Sequence, residues 1–188
     1  MARPKSDDKR NAILAAATRV IVTHGLSAAT AMIAHEAGVS NGSLFTYFET
    51  KADLFNQLYL DLKADMASAA LNGLPQDAEI REQFFRLWTN WVHWAVSNPE
   101  KRRALAQLVV SDQITPESRT AGHQTMARFG ELLQQARAHG PMRDVPMAFV
   151  TAIMSSLAEA TMDFMVLDPA GADRHCQEGF NVLWRAVA

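Results

Sequence analysis

The sequence predicts an all-α chain of nine helices, with a small amino-terminal three-helix domain and a larger carboxy-terminal helical bundle. Apolar residues recur at helical spacing through almost all of the 188 residues. The strict alternation typical of strands is absent, and glycine or proline interrupts the helical pattern at regular places. We expect three parts: a DNA-facing domain at residues 1–50, a connecting helix at 51–73, and a ligand-binding and dimerisation domain at 74–188.

The first four predicted helices span residues 7–24, 30–37, 41–48 and 50–73, and glycines separate the first three. Asp7 and Asp8 place negative charge in the first turn of the first helix, where the helix dipole favours it. Gly25 follows that helix and Gly38 follows the second, as expected of residues that end helices.

Prolines separate the other five predicted helices, which span residues 77–97, 99–112, 115–140, 147–167 and 173–186. Thr115 followed by Pro116 is typical of a helix start, with a capping hydroxyl and then a proline. The most apolar window, Met147–Leu167, contains Glu159 and Asp163, so we expect a buried helix of a soluble protein rather than a membrane span.

Charge and cysteine content narrow the class of protein. Residues 1–52 carry a net charge of +2 and the remainder carries −4, which suits a nucleic-acid-facing module joined to a different domain. Cys176 is the only cysteine and the amino terminus lacks the apolar stretch of a signal peptide, so we expect a cytoplasmic protein without disulfides.

Residues 30–49 have the spacing of a helix-turn-helix. Ala34 is small enough for two helices to cross closely, and Gly38 can adopt the positive φ of the turn. Ser40 can cap the second helix, whose polar residues Asn41 and Thr46 suit base edges in a major groove. Spacing alone leaves an ordinary αα-hairpin equally open.

The stretch from Ile33 to Phe55 resembles the signature of the TetR family of bacterial regulators. It reads I-A-H-E-A-G-V-S-N-G-S-L-F-T-Y-F-E-T-K-A-D-L-F. The elements of the family signature follow in order: an Ile-Ala pair, an Ala-Gly-Val-Ser run, a Tyr-Phe pair, and a Lys before an acid and Leu. The resemblance implies a homodimeric repressor that binds a double-stranded DNA operator and leaves it when a small-molecule effector binds.

The resemblance also implies the DNA-binding residues, which are Thr30, Ser40, Asn41, Gly42, Ser43, Phe45, Thr46, Tyr47 and Lys51. Lys51 falls on the family's phosphate-contacting lysine. The chain departs from the family pattern at the start of the second helix, where Thr30 is expected to cap and Ala31 replaces a polar or arginine residue. Phe45 stands where tyrosine is common and lacks its hydroxyl.

The carboxy-terminal region contains no catalytic motif and no metal-ligand spacing, so we expect neither an enzyme nor a metal or other cofactor. Its aromatic run at residues 84–94 needs more room than one helix seam provides, and the resemblance implies a cavity for a hydrophobic or aromatic ligand. The candidate lining residues are Trp88, Trp91, His93, Trp94, His123, Met126, Phe129, Met154, Glu159 and Met162.

The last two helices are rich in small residues, which permit close helix packing. The resemblance implies that they form a four-helix dimer interface, with Ala148, Ala152, Ser155, Ala158, Phe180 and Trp184 as candidates. Within the regulator class, an activator or a constitutive DNA-binding protein stays open from sequence. Two other classes also stay open: an all-helical enzyme with an apolar pocket, and an interaction scaffold.

Overall fold

The structure is a computed structural model that describes the backbone of residues 5–188 and the side chains of residues 7–188. Within this part of the chain there are no strands. The α-helices are α1 Lys5–His24, α2 Thr30–Glu36, α3 Asn41–Tyr47, α4 Lys51–Leu71, α5 Ile80–Ser97, α6 Pro99–Val109, α7 Pro116–Gln124, α8 Ala127–Ala136, α9 Met147–Leu167 and α10 Ala172–Val187. A 3-10 turn, Pro169–Gly171, precedes α10. The predicted all-α class is confirmed.

The described residues form ten α-helices rather than nine, because the helix predicted over residues 115–140 divides at Thr125 and Met126. The chain passes between two packed units at this point. Gly122 of α7 packs against Tyr59, whereas Phe129 of α8 packs edge-on against Phe84. No proline lies between the two helices in the sequence, so the sequence pattern predicted them as one.

The first packed unit comprises residues up to 64 together with residues 99–123. Its core is apolar and fully buried, with Ile13, Ile21, Ile33, Leu44, Phe48, Leu54 and Phe55 at 0% exposure. Asn56 joins α4 to the α6–α7 loop: its amide nitrogen donates to the Gln113 carbonyl at 2.8 Å, and its amide oxygen accepts from the Thr115 amide at 2.9 Å. The donor and the acceptor of this buried side-chain amide therefore both have hydrogen-bond partners.

The second packed unit comprises residues 65–98 and 124–188. Helix α5 packs against α8, α9 and α10, and α9 packs against α10. The last pair approaches closely at Gly179, where an added Cβ would lie 2.3 Å from Thr161 Oγ1. A side chain at this position would separate the two helices.

Packing places residues 99–123, which form α6 and α7, with the amino-terminal helices. The predicted division near residue 73 does not coincide with the boundaries of the packed units. The assignment of DNA binding to 1–50, connection to 51–73 and ligand binding to 74–188 stays a prediction.

Helix α9 is the one helix of the described residues that is long and apolar enough, by length and composition, to cross a membrane. Only 33% of its apolar window is buried, so the expected burial of this helix is partly wrong. Val150 and Met154 face the core, whereas Phe149 and Phe164 are 60% and 58% exposed. A core helix of a soluble protein passes the same test of length and composition, so this finding alone does not assign a membrane.

Candidate nucleic-acid interface

The turn between α2 and α3 is built around Gly38. Its φ is +68°, a conformation that residues with a Cβ rarely adopt. The Val39 amide donates to the Ala34 carbonyl at 2.9 Å and closes the turn. Ala34 is 2% exposed and Leu44 is fully buried, so both helices are anchored to the core at a fixed angle. The predicted small residue and predicted turn glycine both occupy their expected positions.

The two helix starts differ from each other. At α3, the Ser40 hydroxyl accepts from the Ser43 amide at 3.1 Å, which confirms the predicted cap. At α2 the predicted cap is wrong, because Thr30 is the first helical residue and Ala29 holds the extended N-cap position. The Ala29 side chain has no acceptor, so the start of α2 has no side-chain cap.

The exposed side of α3 is small and mostly polar. Asn41, Gly42, Phe45 and Thr46 are exposed, while Ser43 and Tyr47 are half-buried. Thr46 Oγ1 donates to the Ser43 carbonyl at 2.6 Å, so its one hydroxyl proton is already used within the helix. Seven of the nine residues that the sequence assigned to DNA therefore lie together on α3 and its cap, whereas Thr30 begins α2 and Lys51 begins α4.

Reciprocal hydrogen bonds fix the joint between α3 and α4. Thr50 Oγ1 accepts from the Asp53 amide at 3.0 Å, and the Asp53 carboxylate accepts from the Glu49 amide at 3.1 Å. Lys51, in the first turn of α4, holds its ammonium 5.3 Å from the Phe55 ring centroid. Among the described side chains no carboxylate forms an ion pair with Lys51. Its charge stays available beside α3.

Arg10 is a positioning residue that the sequence did not indicate. Its guanidinium donates to Gln57 Oε1 at 2.8 Å, and Gln57 Nε2 donates to Asp53 Oδ1 at 2.9 Å. The same guanidinium lies 5.7 Å from the Phe48 ring centroid, at the end of α3. Arg10 and Gln57 are 47 residues apart and no local pattern links them. This network ties α1 to the α3–α4 joint.

The tryptophans predicted to line a cavity are largely core residues with satisfied ring nitrogens. Trp88 is fully buried, and its Nε1 donates to the Cys176 carbonyl at 3.1 Å. Trp94 Nε1 donates to Asp65 Oδ2 at 3.1 Å on a different side of the helix, towards α4. Trp91 is half-buried and lies edge-on to Phe129, with ring centroids 5.4 Å apart. The three indoles therefore do not face one shared cavity.

The other predicted ligand residues are dispersed. Met154 and Met162 are buried in the core at 4% and 1% exposure. His93 lies 3.5 Å from Asp173, which is itself exposed. Glu159 is exposed on α9, and His123 is exposed on α7 in the other packed unit. The role of these polar groups in holding a ligand stays a prediction.

A narrow apolar depression with an empty volume of about 160 Å³ lies beside α4, α5 and α8. Its lining residues are Ala67, Ala70, Leu71, Leu87, Thr125, Met126 and Phe129. Met126 and Phe129 were among the predicted ligand residues, whereas the α4 side chains were missed because nothing in their helical pattern distinguishes lining from core. The depression has no room for even a water-sized sphere, so as it stands it cannot hold a drug-sized ligand.

The predicted interface residues divide between surface and core. Ala148, Ala152 and Ser155 are exposed on α9 and Trp184 is half-buried. Ala158 and Phe180 are both 0% exposed within their own unit, so no partner chain can contact them in this packing. The sequence missed the large apolar side chains on the same exposed region, which are Phe149, Phe164, Val166, Leu167 and Val182.

Titratable groups of the carboxy-terminal unit form no metal site or reactive centre. No group of three or more His, Cys, Asp or Glu side chains among the described residues could hold a metal ion. Burial raises the pKa of the Cys176 thiol, which keeps it protonated. Hydrogen bonds from His175 and from the Gly171 amide hold the pKa of Asp168 below its usual value. Asp168 thereby secures the turn before α10.

Comparison with known proteins assigns this architecture. Residues 13–58 match the family model of bacterial regulatory proteins, tetR family. A tetR family transcription regulator from Shewanella sp. PV-4 is 27% identical, with a TM-score of 0.83, and the match covers 94% of this chain and 96% of that one. A TetR family transcription regulator from Marinobacter aquaeolei VT8 is 25% identical, with a TM-score of 0.83 and coverage of 100% and 99%.

A third structure shares the fold at lower identity. The TetR-like transcriptional regulator LfrR from Mycobacterium smegmatis, solved in complex with proflavine, is 18% identical with a TM-score of 0.68. The match covers 96% of this chain and 98% of LfrR. The proteins matched here are regulators of transcription and not enzymes, so the expectation of a non-enzymatic, DNA-binding regulator is confirmed.

Proposed function

Because the chain is a member of the TetR family by its helix-turn-helix and its fold, we propose that it acts in the cytoplasm as a homodimeric repressor, released from a DNA operator by a small hydrophobic or aromatic ligand. The observation that carries this proposal is the exposed face of α3. Asn41 and Thr46 are exposed on the second helix of the helix-turn-helix, while Leu44 fixes the helix to the core. A helix held in this way can enter a major groove without rearranging.

Two kinds of contact follow from the geometry. Asn41 and Phe45 meet base edges, because they lie one turn apart on the exposed side of α3. Lys51 meets the phosphate backbone, because its charge has no carboxylate partner among the described residues. The remaining proposed contacts, which position the helix on the duplex, are Thr30, Ser40, Gly42, Ser43, Thr46 and Tyr47.

The homodimer is supported by the exposed apolar face of α9. Phe149, Phe164 and Leu167 are 60%, 58% and 77% exposed, an unusual density of large apolar side chains for a surface helix. Small exposed residues between them, Ala148, Ala152 and Ser155, allow the same helix of a second copy to approach closely. A two-fold dimer would present two α3 helices to half-sites about 34 Å apart. The interface we propose excludes Ala158 and Phe180.

The ligand site we propose is the depression beside Met126 and Phe129. The depression has no room for a ligand as it stands, so binding must separate α8 from α4 and α5. The proflavine complex of LfrR supports an aromatic ligand, since the same fold holds one there. Trp91 stands next to Phe129 and would report the opening. A ligand that favours the opened state weakens DNA binding only if that state fits the groove less well.

Reciprocal titration tests the proposal. Genomic fragments retained by the purified protein supply an operator, and indole fluorescence screens aromatic compounds, beginning with proflavine. We expect a compound that changes the emission to weaken operator binding, and the operator to weaken binding of that compound by the same factor. A compound that binds without changing operator affinity contradicts ligand release. Failure to retain any dyad-symmetric fragment contradicts operator binding itself.

A further inference from the structure

The surface formed by α2 and α3 carries neither lysine nor arginine. Both residue types are absent from positions 30 to 50 of the sequence. The flanking cations lie to either side: Arg19 is paired with Glu36 at 2.7 Å, and Lys51 lies over the Phe55 ring. Guanine presents two acceptors in the major groove and is read most often by bidentate arginine or lysine. The usual reader of guanine is therefore missing from this surface.

Hydrogen-bond donors are scarce on the exposed side of α3. The Thr46 hydroxyl has one proton and already donates it to the Ser43 carbonyl, so towards a base it offers only lone pairs and a methyl group. Gly42 has no side chain and the Phe45 side chain has no donor. Besides the half-buried hydroxyls of Ser43 and Tyr47, Asn41 supplies the side-chain donors of α3. Its exposed amide, which both donates and accepts, matches the N6 and N7 of adenine.

Phe45 adds an apolar group beside that amide. It is 41% exposed, and it follows Asn41 by four residues, so the two side chains share one face of the helix about one turn apart. The only apolar group at the edge of the major groove is the 5-methyl of thymine, and aromatic side chains pack against it. An exposed phenyl ring in this place can pack against that methyl group.

We propose that α3 reads A·T base pairs, with Asn41 hydrogen-bonded to adenine and Phe45 packed against the 5-methyl group of thymine. This inference rests on the proposed operator binding and specifies its substrate as a half-site with A·T pairs at the centre of the α3 contact. His35, exposed on α2, is the neighbouring group that could donate to guanine instead.

Replacing thymine by uracil tests the inference, because uracil lacks only the methyl group. Dyad-symmetric duplexes are first selected from a random pool, and deoxyuridine then replaces each thymine of the half-site in turn. We expect one replacement to weaken wild-type binding about fourfold, the factor for losing one buried methyl-sized group. The Phe45→Ala variant should bind both duplexes alike, whereas Phe45→Tyr keeps the ring and the discrimination.

Two further variants complete the comparison. Asn41→Ala should lower the preference for A·T over G·C at the neighbouring pair by about 5- to 150-fold. Val110→Ala removes another exposed apolar side chain, 79% exposed in the α6–α7 loop, and should leave the uracil effect unchanged. A selected half-site with G·C at its centre, or equal affinities of the wild type for thymine and uracil duplexes, overturns the inference alone. If no dyad-symmetric site is selected, the proposed operator binding fails and the inference fails with it.

Discussion

Helices α3 and α5 use their large side chains in opposite ways. Phe45 on α3 is 41% exposed, with Asn41 beside it on the same face. Trp88 on α5 is fully buried, and its ring nitrogen already donates to a carbonyl of α10. The exposed face of α3 therefore presents part of an aromatic ring and an amide to solvent. The aromatic run of α5 is a completed core, so a ligand that reached it would have to break existing contacts.

Two single variants, each lacking one of the two aromatic rings, test this difference most directly. Trp88→Ala should lower the free energy of unfolding by about 3–5 kcal/mol, because it leaves a large cavity in the core and removes the indole hydrogen bond to the Cys176 carbonyl. Phe45→Ala should change it by less than about 0.5 kcal/mol, because the ring is on the surface. Urea unfolding followed by circular dichroism measures both. A large loss for Phe45→Ala would place that ring in the core and remove it from the DNA contact.

The second contrast lies within α9. Ala158→Glu puts a carboxylate into the core of the unit and should cost about 3 kcal/mol of stability. Ala152→Glu puts the same group on the exposed face, where it should leave the fold intact but give monomers with much weaker operator binding. Sedimentation and unfolding separate the two effects. A dimeric Ala152→Glu protein would move the interface away from α9.

Contacts to bases and to phosphates should respond differently to mutation. Asn41→Ala should lower the preference for the operator over random DNA by about 1–3 kcal/mol. Lys51→Ala should weaken binding to both alike and reduce the dependence of affinity on salt. Anisotropy titrations of operator and random duplexes over a salt series distinguish them. Equal losses on both duplexes for both variants would contradict this division of roles.

The smallest effect concerns Asp168, a half-buried carboxylate at the turn before α10. Its pKa lies below the usual 3.8, first because of the His175 hydrogen bond and then because of the Gly171 amide. A depressed carboxyl pKa stabilises the fold above the unfolded-state pKa, and that stability is lost as the pH falls through the folded-state pKa. Asp168→Asn should therefore be less stable than the wild type at neutral pH, and the difference should vanish in acid. A difference that persists unchanged at pH 2 would assign the effect to packing.

The sequence predicted the recognition segment well because its determinants are local. Gly38, the Ser40 cap and the buried Leu44 act within a few residues of one another, so their spacing is informative. The predicted cap at Thr30 was wrong, because Thr30 is the first residue of the helix and Ala29 is its N-cap. Boundaries of this kind depend on backbone angles that side-chain spacing does not determine.

The burial of the carboxy-terminal candidates could not be predicted from the sequence, because their packing partners are distant in sequence. Trp88 finds its carbonyl partner 88 residues away, and helical spacing cannot distinguish an indole in the core from one lining a cavity. The buried face of α9 is likewise set by packing against α10 and α5. Ala158 and Ala152 look alike in the sequence and have opposite exposure in the fold.

The Gly42→Glu variant tests the central claim that the exposed face of α3 binds DNA. Gly42 has space around it for a side chain, as has Gly130 on α8, so Gly130→Glu is a matched control. A carboxylate on α3 would face the phosphates, and we expect operator affinity to fall by at least about 100-fold in an anisotropy titration, with an unchanged melting temperature. Gly130→Glu should bind as the wild type does. Operator affinity that survives Gly42→Glu would contradict the account.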